Sequence, residues 1–140
     1  MAEQTRGDLL PAARVDSAVF ALRPDYRALL LAVDGLASGP TDQGSDALLR
    51  AAEVKVTEIG LLETGVEEIP HVAAWRDAYR AFGAKPQRTR NSLEALLRRA
   101  ATGLPRVNRL TDVYNAISVL HQLPIGGEDL MPYVGAPQLL

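Results

Sequence analysis

Cysteine is absent from this chain, which removes disulfides, thiolate metal sites and cysteine nucleophiles together. Histidine is almost absent as well. The two imidazoles, His71 and His121, are far apart and neither stands at ligand spacing from another candidate, so no metal or cofactor is expected and each reads as a helix-end hydrogen-bonding group. Aromatic residues make up only 5%, leaving a core of Ala, Leu and Val that suits helices packed closely on a sheet. No apolar run approaches the roughly 18 to 20 residues that span a bilayer. The polar first eight residues do not resemble a signal peptide, and a cytoplasmic setting without a membrane partner is the expectation. The sequence holds none of the G-x-G-x-x-G, P-loop, H-E-x-x-H or G-x-S-x-G patterns, which excludes the best-marked nucleotide, zinc-protease and serine-hydrolase chemistries.

What is present is an ordinary globular composition over 140 residues, 47% hydrophobic and 23% charged, for which one compact core is expected. The net charge of −2 conceals a strong segregation. Residues 1–75 carry 6 basic and 12 acidic side chains, residues 76–109 carry 9 and 2, and residues 110–140 carry 0 and 3. A basic centre between acidic flanks suits either contact with a polyanion or pairing with its own acidic neighbours.

Apolar runs at 15–22 and 26–33, separated by Arg23-Pro24-Asp25, predict two strands, the second central in its sheet. Ser45 or Asp46 is the predicted cap of a helix over 46–62, ending near Gly60 or Gly65. Pro70 suits the first turn of a helix that Gly83 stops. On it Val72, Trp75, Tyr79 and Phe82 form one apolar stripe, expected to pack inward. An extended basic connector, 85–90, leads to a helix over 92–102 with Asn91 and Glu94 as a capping box and Gly103 as the stop. A further helix from Arg109 to Gln122 ends before Pro124, and 126–129 reads as a tight loop.

Four motifs follow one another between residues 70 and 130. They are Trp75-Arg76-x-Ala78-Tyr79 with Phe82-Gly83-x-Lys85-Pro86, then Ser92 to Arg99, then Leu104-Pro105-x-Val107-Asn108 with Asp112-x-Tyr114-Asn115, then Leu123-Pro124-x-Gly126-Gly127-Glu128-Asp129. In this order they resemble the freestanding B3/B4 proteins, whose domain is similar to the editing domain of the phenylalanyl-tRNA synthetase β subunit. The resemblance implies an α+β (α/β sandwich) fold with a mixed sheet packed with helices. It also implies that 1–140 is the N-terminal part of one such domain, its remainder missing or supplied by a second chain.

By the same resemblance the chain is expected to be a trans-editing deacylase that hydrolyses the ester of a mischarged tRNA. Non-catalytic tRNA or RNA binding, and a small-molecule enzyme or binder that reuses the amino-acid pocket, are the alternatives. Asn115 matches the asparagine lining the synthetase's editing pocket and Asp129 its closing aspartate, while Gly126 stands where the synthetase has histidine. Hydrolysis of such an ester needs an oriented water and donors for the developing oxyanion. Gly126 and Gly127 N–H groups suit the donors, Asn115 the orientation of substrate, and Glu128 or Asp129 the water or the α-ammonium. The RNA-facing candidates are the cations at 76, 80, 85, 88, 90, 98, 99, 106 and 109. Arg88 and Arg90 lead, joined by Lys85, Asn108 and Tyr114, whereas Arg76 and Arg106 are expected to buttress the fold or the pocket.

Overall fold

A computed structural model describes residues 9–61 and 63–140; Leu62, the last residue of the helix expected over 46–62, lies outside them. The chain falls into two compact units, one of residues 37–127 and the other of the residues up to Leu36 together with 128–140. The expected mixed-sheet sandwich does not form. Helix accounts for 48% and strand for 3%, the latter in one two-stranded parallel ladder.

In the smaller unit, Leu9–Ala12 forms a first helical turn (α1) and Arg14–Val15 (β1) pairs with Gln138–Leu139 (β2), Arg14 opposite Gln138. The run at 15–22 turns helical after β1. Asp16 caps it, accepting from Ala18 N at 2.8 Å, and Ser17–Leu22 forms α2. Ala and Leu are good helix formers, and an Asx-type cap supplies the missing acceptor at the first turn. Residues 26–33 belong to neither helix nor ladder, and Leu29 and Leu31 are exposed. The placement of that run at the centre of a sheet is therefore corrected. A strand exists only through a partner's N–H and C=O groups, and among the described residues none pairs with it.

The larger unit holds four helices and the whole buried core. Gln43–Glu58 (α3) is capped by Asp42, three residues earlier than expected, in a reciprocal box: Asp42 Oδ1 accepts from Ser45 N and Ser45 Oγ accepts from Asp42 N. A 3-10 turn at Val66–Glu68 precedes Pro70–Ala81 (α4), with Pro70 in the first turn and Gly83 past the end at φ 89°. Ser92–Ala100 (α5) begins at Asn91, whose Oδ1 accepts from Glu94 N at 3.0 Å. Only half of the expected capping box is made, because the Glu94 carboxylate turns to arginines instead. Arg109–His121 (α6) is capped by Asn108 and closes on Gln122 in the left-handed region, with Ser118 Oγ donating to Leu123 O.

α3 packs most extensively on α6, and α5 joins both. Leu49, Ala52 and Val56 of α3 meet Leu93, Leu96 and Leu97 of α5 and Ala116 and Val119 of α6 in one cluster. Each large aliphatic side chain buried there contributes roughly 1.5–3 kcal/mol. α4 is held differently. Its extensive contacts are with the 3-10 turn, so Val72 near its start is fully buried while Phe82 past its end is 58% exposed.

Candidate functional site

The basic segment is organised by ion pairs to the acidic flank. Arg106 reaches α3, donating from Nε to Asp46 Oδ1 at 2.8 Å and from Nη1 to Glu53. Leu104 N donates to the same Glu53 carboxylate at 2.7 Å. These donors hold both carboxyls below their ordinary values, Arg106 being the largest cause in each, and the paired carboxylates in turn raise the Arg106 guanidinium. Arg109 Nε meets Asp42 Oδ2 at 2.7 Å. Asp42 is lowered chiefly by the Ser45 N–H, with Arg109 adding to it.

A second cluster centres on Glu94, whose side chain is 1% exposed. Its Oε1 accepts from Arg76 Nη1 at 2.8 Å and from Arg98 Nε and Nη2 at 3.0 and 2.9 Å, while Arg90 Nε lies 3.7 Å away. Arg98 also bonds Glu67 at 2.9 Å, and its guanidinium is raised, first by Glu94. Oε2 of Glu94 is buried without a hydrogen-bond partner. Arg80 pairs with Asp77 at 2.6 Å. Of the nine cations in 76–109, six are thus engaged with carboxylates. Among the described residues, Lys85, Arg88 and Arg99 make no ion pair.

Two of those three sit in the segment expected to be an extended connector, which is instead a closed turn. Arg88 N and Thr89 N both donate to Lys85 O at 2.9 Å, and Pro86 is buried beneath. Proline fixes φ and anchors the turn, leaving Lys85, Arg88 and Arg90 exposed on it. Just before it, Trp75 and Tyr79 stand edge to face at 6.2 Å, and Tyr79 and Phe82 are tilted at 53° with centroids 5.0 Å apart. The stripe expected to pack inward is half-buried at Trp75 and Tyr79 and opens outward at Phe82. Sequence periodicity places these rings on one face of α4; that little covers the far end of that face is a tertiary fact.

The other expected site residues take mostly structural positions. Asn108 Oδ1 accepts from Thr111 N at 2.9 Å as the cap of α6. Tyr114 lies against Gly127, where an added Cβ would come within 3.1 Å of Tyr114 Cε1. Gly127 thus serves close approach of the backbone rather than a left-handed turn, and Gly126 has open space around it. The half-buried Asn115 side chain has no hydrogen-bond partner among the described residues. Glu128 and Asp129 belong to the smaller unit, where Asp129 Oδ1 accepts from Met131 N at 2.9 Å and forms an Asx turn. His71 Nδ1 lies 2.7 Å from Gln122 O, as a ring N–H donating to the carbonyl at the end of α6.

Asp112, which the sequence places in a motif without marking a function for it, is fully buried. Its Oδ1 accepts from Val107 N at 2.8 Å and its Oδ2 from Thr41 Oγ1 at 2.6 Å. Two shallow depressions, of about 310 and 270 Å³, lie elsewhere. One is lined by Leu10, Arg14, Ala28 and Leu30, the other by Glu53, Thr57, Ala100 and Gly103. Among the described residues no group of three His, Asp or Glu side chains could hold a metal ion, and no helix is long and apolar enough to cross a membrane. Comparison with protein-family models, with curated proteins and with solved structures finds no match to this chain.

Proposed function

We propose that this chain binds RNA through the turn at 85–90, with transfer RNA as the ligand to which the motif resemblance points. The observation that carries this reading is the division of the basic segment: most of its cations are neutralised by carboxylates, while Lys85 and Arg88 have none and Arg90 has only a contact of 3.7 Å. Charges already paired inside the protein add little to phosphate binding, whereas exposed cations on a fixed turn displace condensed counterions. Three phosphate contacts give a slope of log K against log salt of between about −2 and −3. Fluorescence polarisation of labelled tRNA across a salt series tests this, with the double variant Lys85→Ala/Arg88→Ala expected to bring the slope to about −1. An unchanged slope in that variant would remove the turn from RNA binding.

Deacylation is the second reading, and the observation that favours it is the Asn115 amide, half-buried yet without a partner. An amide engaged by no other group of the protein is suited to hydrogen-bond an ester or the oxyanion formed when water attacks it. If the chain hydrolyses misacylated tRNA, Asn115→Ala is expected to lower the rate roughly 100-fold. An undiminished rate of amino-acid release in the variant excludes Asn115 from the chemistry.

A further inference from the structure

We infer that the nucleic acid held by the basic turn is single-stranded, with one base stacked on Phe82 while its neighbouring phosphates meet Lys85 and Arg88; this rests on the RNA reading above. Phe82 is 58% exposed, a large apolar ring in water. Tyr79 supports it from one side at 5.0 Å, so the ring is braced rather than loose. Lys85 follows three residues later, within about 11 Å of chain. The hydrogen bond from Arg88 N to Lys85 O then folds Arg88 back beside it. The ring and both cations are therefore within reach of successive parts of one strand.

Charge decides the kind of occupant. Between Phe82 and Arg90 there is no acidic residue, and the preceding acid, Asp77, is bound to Arg80. An apolar ring beside unpaired cations matches a ligand that is flat and apolar on its faces and anionic along its backbone. Single strands offer that combination at every nucleotide, because each base has a π-face free to stack. A duplex keeps those faces inside its own stack and presents phosphates and groove edges only.

The test uses the full chain with a labelled, unstructured adenine-rich RNA and with the same RNA annealed to its complement. Phe82→Ala is expected to weaken single-strand binding roughly 5- to 100-fold. Its salt slope should stay unchanged, because stacking releases no counterions, and its weaker affinity for the blunt duplex should also be unaffected. Phe82→Leu, which keeps an apolar side chain and removes the π-face, is expected to melt like the wild type and bind like the alanine variant, while Phe82→Trp keeps the affinity. Equal affinity of wild type and Phe82→Leu for the single strand, or tighter binding of the duplex, overturns the inference and leaves salt-dependent RNA binding standing. Absence of salt-dependent binding to either form overturns the RNA reading and this inference with it.

Discussion

Glu94→Ala is expected to destabilise the larger unit by about 3 to 5 kcal/mol, the cost typical of removing one member of a buried ion pair. The effect comes less from the lost carboxylate than from what remains. Arg98 retains Glu67 as a partner, but Arg76, with 12% of its side chain exposed, is bonded to no other carboxylate among the described residues. Its guanidinium would be left largely desolvated and unpaired, and α4 would lose its polar tie to α5. Oε2 of Glu94 is already buried without a hydrogen bond, so the native cluster bears a desolvation penalty of its own. Glu94→Gln, which keeps an acceptor for Arg76, should therefore lose less than the alanine variant. Trp75 is the single tryptophan and lies in this unit, so the urea midpoint of its fluorescence reads the change directly. A midpoint equal to wild type in Glu94→Ala would mean that the cluster adds nothing net.

Asp112→Ala is expected to cost about 2 to 4 kcal/mol, from the loss of the buried acceptor that serves Val107 N and Thr41 Oγ1. The buried carboxylate joins three segments. It accepts the Val107 N–H from the stretch leading into α6 and the Thr41 hydroxyl from the approach to α3, and it sits in the first turn of α6 itself. A negative charge there is also favoured by the exposed N–H groups at the start of the helix. Asp112→Asn keeps the shape and one acceptor oxygen, and the Thr41 hydroxyl can reverse its role to accept, so a loss of about 1 kcal/mol is expected. The same fluorescence midpoint distinguishes them; equal losses in the two variants would show that the negative charge, which both remove, is what Asp112 supplies, and not the hydrogen bonds that asparagine can still make.

The helices of the larger unit were legible because their ends are written in local chemistry. Pro70, Asn91, Gly83 and Gly103 stand where the structure uses them, Gly83 and Gly103 with positive φ. Even the displaced start of α3 follows a local rule, since Asp42 and Ser45, three residues apart, each accept the other's backbone N–H. The strands were misread because an apolar run does not declare its period. Residues 15–22 and 26–33 lack the polar alternation that separates strand from helix, and their fate depends on partners far along the chain. The candidate site divides on the same line. Pairing of the basic segment with its acidic neighbours could be read from charge counts as one of two outcomes, but not which cations would be left over. Lys85, Arg88 and Arg99 are left over only once Arg76, Arg80, Arg98, Arg106 and Arg109 have found their carboxylates.

Those pairings also set an alignment. Asp42, Asp46 and Glu53 recur along one side of α3 and meet Arg109, Arg106 and Leu104 N in reverse order. A slip of the 104–109 segment by one helical turn toward the end of α3 would bring Arg106 from Asp46 to Arg50, cation against cation. A slip the other way would bring Arg106 from Asp46 to Asp42, the carboxylate that Arg109 holds, and from Glu53 to Leu49, which the core already encloses. The first of these registers is penalised by like charge and the second by the loss of Glu53 to an apolar neighbour, and the energy gap that selects one fold is widened from the side of its competitors.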